Sequence, residues 1–382
     1  MTSARSRPLR VLVVGGGIGG LAAAIALVRA GHEVEVFERT PALGEVGAGL
    51  SLWTNALRTL DALGVLPRLR AQAMADVVGA IRTWDGRTIS HVPLEPLRRE
   101  LGQMCLIVHR AELQTTLVEA LGAQRIRLGA SCVAVEQDAS AVRARFAGGD
   151  TAEGDALIGA DGLHSVVRAT LHGASPPRYA GYTAWRAVVP FEQGRLLIGE
   201  SWGRGARFGQ LPMTGGRVYW FGVENAPEGA RAPEGEKAHL LHLFREWHSP
   251  IGALIEATDE SAILRNDICD RPPLAVWGRG RITLLGDAAH PMTPNLGQGA
   301  CQALEDAVAL GAALTGCGRP AQGLRAYESR RTARANAILV QSRRLGALAQ
   351  WQNRWAVAFR NAVLARVPAS VQQRQMLGLL RG

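Results

Sequence analysis

Lysine is almost absent from this sequence, and its cysteines form no recognisable pairs. Lys237 is the only lysine, so nearly all of the 43 basic residues, which stand against 33 acidic ones, are arginines. The five cysteines are widely spaced and include no C-x-x-C pair, a pattern that excludes a redox dithiol or a cysteine-based metal site. Unpaired cysteines are typical of reduced thiols. We therefore expect a cytoplasmic protein without a bound metal.

The sequence also lacks a concentrated run of positive charge. Its arginines are spread along the chain and interleaved with acids, whereas nucleic-acid-binding proteins usually cluster their basic residues. We therefore expect no nucleic-acid partner. The formal net charge of +10 instead indicates a field that attracts anionic small molecules such as dinucleotides, or one that holds the protein near an anionic membrane.

The first apolar stretch, Val11 to Val28, is no convincing membrane span or signal peptide. Five of the six residues from Gly15 to Gly20 are glycines, which are unfavourable in a helix interior. The segment that follows alternates polar and apolar residues, as a strand does. The stretch therefore predicts a βαβ unit: strand Leu9–Val14, helix Gly19–Ala30 and strand Glu33–Glu38.

A dinucleotide fingerprint lies inside this unit. Gly15, Gly17 and Gly20 form G-x-G-x-x-G at the strand-to-helix turn, which allows a tight turn and a close approach of a pyrophosphate to the backbone. Glu38 ends the second strand, where a carboxylate can accept hydrogen bonds from ribose hydroxyls. The predicted cofactor contacts of this unit are Gly15, Gly17, Ile18, Gly19, Gly20, Glu38 and Arg39.

Two later segments distinguish FAD from NAD. Residues 159–168 read GADGLHSVVR, and residues 286–307 read GDAAHPMTPNLGQGACQALEDA. No second G-x-G-x-x-G follows a strand, so the chain has no permanent nicotinamide domain. Together with the glycine fingerprint, these segments resemble the motifs of the single-component FAD-dependent aromatic hydroxylases. These are the class A flavoprotein monooxygenases of the p-hydroxybenzoate hydroxylase fold. Within that family, the chain is similar to the alkylquinolone, urate and salicylate-type hydroxylases.

The resemblance implies FAD as the cofactor and NADH or NADPH as a transient reductant. It places further FAD contacts on two acids, an arginine and the loop before a helix, and it links Arg168 to use of the nicotinamide cofactor. These implied FAD contacts are Arg110, Asp161, Asp287, Pro294, Leu296, Gly297, Gln298, Gly299 and Ala300. For Asp161, a purely structural capping role is the alternative, since Asp-Gly turns commonly cap helices.

The resemblance also gives the fold class, an α/β protein with a Rossmann-like FAD-binding domain of the glutathione reductase type. We expect that domain to comprise residues 1–75, 102–177 and 276–342. An inserted antiparallel β-sheet domain for the substrate would comprise 76–101 and 178–275, and 343–382 would form a C-terminal helical segment. That segment either packs on the FAD domain or lies weakly on a membrane surface.

The implied reaction uses NAD(P)H and O₂ to form a flavin C4a-hydroperoxide, which hydroxylates an aromatic or heteroaromatic small molecule such as a phenol, quinolone or purine-like ring. The alternatives are an epoxidase, halogenase or reductase of the same fold, or a non-catalytic FAD-binding protein. The sequence assigns no catalytic base and does not choose between a monomer and a homodimer. Residues on predicted strands that could line the substrate pocket are Arg207, Gln210, Trp185, Tyr219 and Trp220.

Overall fold

The computed structural model describes residues 7–44, 48–77, 79–91 and 94–381; the ends of the expected domains at residues 1–6 and 382 lie outside them. The strands of the described chain are β1 (Arg10–Val14), β2 (Glu33–Phe37), β3 (Gly49–Trp53), β4 (Met74–Ala75), β5 (Ala80–Thr83), β6 (Thr88–His91), β7 (Cys105–His109), β8 (Ile126–Arg127), β9 (Cys132–Gln137), β10 (Val142–Phe146), β11 (Thr151–Gly154), β12 (Ala156–Gly159), β13 (Arg178–Pro190), β14 (Gly199–Trp202), β15 (Ala206–Met213), β16 (Arg217–Asn225), β17 (Leu264–Asp270) and β18 (Ile282–Leu284). The α-helices are α1 (Ile18–Arg29), α2 (Thr54–Ala62), α3 (Leu66–Arg70), α4 (Leu94–Leu101), α5 (Arg110–Leu121), α6 (Val166–His172), α7 (Glu236–Leu243), α8 (Ile251–Glu256), α9 (Gly299–Leu314), α10 (Pro320–Ala349), α11 (Arg354–Leu364) and α12 (Ala369–Leu380).

A five-stranded parallel sheet in the order β18-β12-β1-β2-β8 forms the first half of the molecule. Its central strand β1 is buried from Val11 to Val14, because a parallel sheet carries covering elements on both faces. Helices α1 and α9 pack closely, and a Cβ added at Gly311 would lie 2.9 Å from the Cβ of Ala26. This half contains the largest apolar core.

A seven-stranded sheet in the order β17-β13-β16-β15-β14-β5-β6 forms the second half. Its neighbouring strands are antiparallel except for β14 and β5, which run parallel. Helices α7 and α8 cover one face, where Phe208 and Trp220 pack against Leu240 and Phe244. The opposite face turns toward β3 and β7 of the first half. The predicted α/β fold class, with its antiparallel sheet and C-terminal helices, is confirmed.

The 30-residue helix α10 connects the two halves. Near its start, Leu324 and Tyr327 are buried in the core of the first half. Near its end, Gly346 lies against Asn295, and a Cβ at Gly346 would stand 2.3 Å from the amide nitrogen of that side chain. Helix α12 then packs against α4 through Leu380, Leu97 and Leu101. No helix in the described residues is long and apolar enough to cross a membrane.

Candidate cofactor and substrate site

The glycine turn between β1 and α1 has the shape that a dinucleotide needs. Gly15 has a φ of +114°, and a Cβ there would stand 2.2 Å from the carbonyl oxygen of Ala160. A Cβ at Gly20 would stand 1.9 Å from the Gly15 carbonyl oxygen, so the helix can pack onto the turn only with glycine. At Gly17, by contrast, the space within 4 Å of an added Cβ is open, which leaves room for a ligand beside the backbone.

The predicted partners of this turn surround it. Glu38 lies directly after β2, and its Oε2 accepts a hydrogen bond of 2.7 Å from the Gly16 backbone N–H, while its Oε1 accepts one of 2.9 Å from the Thr40 N–H. Arg39 is exposed next to it. Ile18 is buried at the start of α1, and a Cβ at Gly19 would meet the side chain of Leu285 at 2.9 Å. Ile18 and Gly19 therefore fix the position of the helix N-terminus.

Asp287 follows β18 in the Gly-Asp turn. Its side chain is accessible to solvent, yet it lies deep among protein atoms, and this desolvation raises the pKa of the carboxyl group. The charges of His290 and Arg110 oppose the rise. Arg110 is the exposed first residue of α5. An accessible carboxylate at the bottom of a recess is suited to contact a ligand.

The loop before α9 presents backbone groups. Residues Pro294–Leu296 form a 3₁₀ turn, and Gly297 has a φ of +60°, a conformation that favours glycine. Helix α9 starts at Gly299, where the space around an added Cβ is open. The first N–H groups of a helix have no intrahelical acceptor and carry partial positive charge. The N–H groups at Gly299 and Ala300 are thus suited to an anionic ligand edge.

The Gln298 side chain points into the protein rather than toward a ligand. It is buried, and its Oε1 accepts hydrogen bonds of 2.9 Å from Asn55 and 3.1 Å from Gln302. The side chain therefore holds α2 and α9 together, and only the backbone of Gln298 remains for a ligand contact.

Asp161 and Arg168 make structural contacts. Asp161 accepts hydrogen bonds from the Ser165 hydroxyl at 2.5 Å and from the Val166 N–H at 2.8 Å, which caps the N-terminus of α6. Arg168 is buried and donates to the carbonyl oxygens of Ala288 and Ala289 at 3.0 and 2.9 Å. Burial and the nearby charge of Arg271 lower its pKa. Arg168 thus supports the turn that carries Asp287.

A buried charge network behind this turn was not predicted from the sequence. His290 Nε2 lies 2.6 Å from Asp306 Oδ2, and that same oxygen accepts a 3.1 Å hydrogen bond from the Gly286 N–H. Arg331 donates to Asp306 at 2.7 Å and to Glu305 at 2.5 Å. Burial would raise the pKa of Asp306, but the charges of His290 and Arg331 outweigh it and lower the pKa. The signal in the sequence was the acidic pair in the apolar surroundings of Leu304 and Ala307.

Strand alternation divides the five predicted pocket residues between the two faces of the seven-stranded sheet. Trp185 and Trp220 lie on the face covered by α7 and α8, in that apolar core. Gln210 is paired with Trp220 across the sheet and is buried on the same face. Arg207 and Tyr219 lie on the opposite face, toward the first half of the molecule. The structure therefore leaves Arg207 and Tyr219 as the two candidates for the pocket.

Arg207 connects this face with the loop before α9. It is 3% exposed, and it donates to Gln350 Oε1 at 2.8 Å and to Asn295 Oδ1 at 2.8 Å. Its nearest carboxylate oxygen belongs to Glu200, at 3.4 Å. Asn295 in turn donates to the Tyr182 hydroxyl at 2.9 Å. A cavity of about 500 Å³, lined in part by Tyr182 and Gln350, adjoins this cluster.

The first half as a whole fits a bound FAD. The open space at Gly17 and Gly299, the carboxylates of Glu38 and Asp287, and the free N–H groups of two helix N-termini suit a dinucleotide with a flavin. Within the described residues, no cluster of three or more histidine, cysteine or acidic side chains is arranged to hold a metal ion.

Comparisons with known proteins agree with this interpretation. Residues 8–342 match the family described as "FAD binding domain". The chain is 43% identical over 358 residues to the aurachin C monooxygenase/isomerase of Stigmatella aurantiaca, covering 93% of this chain and 94% of that protein. It is 35% identical to an FAD-dependent urate hydroxylase of Klebsiella pneumoniae, covering 88% and 89%.

A solved structure gives the same result. The crystal structure of Klebsiella pneumoniae HpxO complexed with FAD and uric acid superposes on this chain with a TM-score of 0.90 and 31% identity, covering 99% of this chain and 98% of that one. With the family match over most of its length, the chain belongs to the FAD-binding family of class A flavoprotein monooxygenases.

Proposed function

We propose that this monooxygenase uses NAD(P)H and O₂ to hydroxylate an aromatic or heteroaromatic ring. The observation that carries the proposal is the face of the seven-stranded sheet that turns toward the loop before α9. Val188, Leu211, Tyr219 and Phe221 make that face largely apolar, and Arg207 is its buried cation. A mostly apolar wall with few polar groups suits a planar ring.

The residues on this face have separate tasks. Arg207 is a donor for a carbonyl or anionic group on the ring, which would orient the substrate. Burial raises the pKa of Tyr219 to about 12, so that its phenol stays protonated at neutral pH and does not act as a base. The apolar side chains exclude water from the reacting centre, which protects reactive intermediates from hydrolysis.

Glu38, Asp287 and the backbone from Leu296 to Ala300 would hold the FAD. When bound, FAD supplies the redox chemistry by which NAD(P)H activates O₂ for transfer of one oxygen atom. The partial positive charge at the N-terminus of α9 would stabilise negative charge on the flavin. Through the turn that each of them holds, Asp161 would support FAD binding and Arg168 would serve the nicotinamide cofactor.

The similarity to an aurachin C monooxygenase and to urate hydroxylases supports a bicyclic nitrogen heterocycle, quinolone or purine-like, as the substrate class. The strand assignment of the two sheets supports the division into an FAD domain of 1–75, 102–177 and 276–342 and a substrate domain of 76–101 and 178–275. We propose a cytoplasmic enzyme that acts as a monomer or homodimer.

The test is oxidation of NADH and of NADPH by the FAD-loaded protein over a panel of quinolones, purines and phenols. A substrate should stimulate oxidation, and mass spectrometry should show one oxygen atom from isotopically labelled O₂ in the product. A ring epoxide, a halogenated product in the presence of halide or a reduced alkene would each assign the chain to the corresponding alternative chemistry. Absence of any stimulation and of any product would contradict the proposal.

A further inference from the structure

The net positive charge of the chain comes entirely from its C-terminal helices. Residues 1–328 contain thirty-three basic and thirty-three acidic residues, whereas residues 329–382 contain ten arginines and no aspartate or glutamate. The arginines are therefore interleaved with acids only as far as Glu328, and not along the whole chain as expected above. The formal net charge of +10 belongs to the segment that forms most of α10 and all of α11 and α12.

Half of these ten arginines have partners within the protein, although Arg381 is 62% exposed. Arg331 and Arg334 pair with Glu305, Arg343 with Asp270, and Arg381 with Glu100. Arg360 is buried and donates to the carbonyl oxygen of Ala349 at 2.8 Å. The other five are exposed: Arg330, Arg344, Arg354, Arg366 and Arg374.

Helix α11 adds a row of exposed apolar side chains to this basic segment. Trp351, just before the helix, and Trp355, Phe359 and Val363 recur every four residues, so they lie along one side. Trp355 is 69%, Phe359 66% and Val363 46% exposed. Large apolar side chains exposed in a row indicate a surface that binds another protein or a membrane. We call these four residues the apolar row.

The opposite side of α11 fixes the helix in place. Asn353 caps its N-terminus by accepting hydrogen bonds from the Trp355 and Ala356 N–H groups at 2.9 and 3.2 Å. Arg360 points inward, where its guanidinium lies 5.2 Å from the centre of the Trp202 ring. The apolar row is therefore displayed by a helix that is anchored to the antiparallel sheet.

Charged groups frame the apolar row at both ends. The Arg354 guanidinium lies 4.4 Å from the centre of the Trp355 ring, and Arg366 follows the end of the helix. On another side of α11, a groove of about 480 Å³ separates the helix from the β5–β6 turn and is lined in part by Val357, Ala358 and Trp84. Helix α11 itself contains no acidic residue.

We propose that α11 docks on an anionic lipid bilayer, with the apolar row in the interface and Arg354 and Arg366 near the headgroups. A helix with aromatic residues on one side and arginines beside them lies in the plane of such an interface. The surplus positive charge of residues 329–382 selects anionic over neutral lipid. A second protein chain would not require such a one-sided charge. The proposal is independent of the ring substrate.

The test is co-sedimentation of the FAD-loaded, full-length protein with vesicles of phosphatidylcholine alone or with one-third phosphatidylglycerol. Binding should require phosphatidylglycerol and decrease at high salt. The double variant Trp355→Ser/Phe359→Ser should lose nearly all binding. Arg354→Gln/Arg366→Gln should lower the partition coefficient about 30-fold, since each basic residue near the surface contributes about fivefold.

Matched controls come from other exposed residues. Leu128→Ser/Val133→Ser removes two exposed apolar side chains, and Arg143→Gln/Arg145→Gln removes two arginines next to acids; both should bind like the wild type. No binding to anionic vesicles, or equal binding by the Trp355→Ser/Phe359→Ser variant, would overturn the proposal. So would a change from dimer to monomer in that variant by light scattering without a change in vesicle binding, because the row would then belong to an interface between two copies of the chain.

Discussion

Arg331 and Arg207 are both almost fully buried, but their surroundings differ in charge. Arg331 in the first half contacts two carboxylates, Asp306 and Glu305, at 2.7 and 2.5 Å. Arg207 on the antiparallel sheet contacts two amide oxygens, and the carboxylate that pairs with it, Glu200, is 3.4 Å away. Removing one member of a buried ion pair strongly destabilises a fold, whereas a buried cation whose nearest partners are neutral retains more of its field for a ligand.

The largest effect is expected at Arg331. Replacing it with Met leaves Asp306 and Glu305 buried with fewer compensating charges, which should lower the free energy of unfolding by about 3–5 kcal/mol. Urea unfolding of the FAD-loaded protein measures the change. Arg330→Met, an exposed neighbour on the same helix, is the control and should change stability little. A small loss at Arg331 would remove the distinction between the two arginines.

Arg207→Met should reduce stability less than Arg331→Met does, and it should reduce activity more. Its hydrogen bonds to neutral partners predict a loss of about 1–2 kcal/mol in unfolding free energy. The value of kcat/KM for an anionic or carbonyl-bearing ring should fall about 10- to 100-fold, since hydrogen bonds to charged groups are stronger. Arg245→Gln, an exposed arginine beyond α7, serves as the control. Unchanged kcat/KM with a large stability loss would make Arg207 another purely structural arginine.

Acid should affect the two regions differently. Arg331, with His290, keeps the pKa of Asp306 below its ordinary value, and Arg334 and Arg331 do the same for Glu305. Groups with a lowered folded-state pKa add stability above their unfolded pKa of about 4, and this stability is lost as the pH falls below it. The free energy of unfolding, measured between pH 3 and 7, should therefore change less steeply with pH in Arg331→Met than in Arg207→Met. Equal slopes would contradict this assignment.

The smallest effect is expected at Glu200. Its carboxylate is partly exposed and lies 3.4 Å from Arg207, so it offsets part of the cation's field. Glu200→Gln should lower KM for an anionic ring about two- to fivefold, the size expected for a partly screened pair. Glu192→Gln, an exposed acid that precedes β14, should leave KM unchanged. A higher KM for Glu200→Gln would show that Glu200 itself contacts the ring.

The sequence was most informative where the function depends on local backbone shape. Gly15, Gly20 and Glu38 lie within one βαβ unit, so the turn, the helix and the carboxylate could all be predicted from their spacing. The ligand contacts of the loop at Gly297 and the start of α9 were implied by the family resemblance of residues 286–307. In each case the residues that form the site are neighbours along the chain, and only glycine readily adopts the positive φ or allows the close backbone packing that these turns require.

The antiparallel sheet was less predictable, since its contacts come from distant residues. Alternation shows that Trp185 and Arg186 point to opposite faces, but which face meets the flavin depends on α7 and α8. The partners of Arg207 are Asn295 and Gln350, far along the chain. His290 and Asp306 were missed because their pairing depends on how α9 packs. The charge imbalance after Glu328 can be found from the positions of the charged residues in the sequence alone.

Helix α10 determines the distance between the buried side chains of Arg331 and Arg207. It carries Arg331 itself, and Gln350 directly follows its last residue and binds Arg207. The nineteen residue steps from Arg331 to Gln350 span about 29 Å at the helical rise of about 1.5 Å per residue. One inserted residue between Arg331 and Ser342 would rotate the far end by about 100°, turning Gly346 away from Asn295. The length of this helix therefore determines how the seven-stranded sheet is positioned against the FAD-binding half.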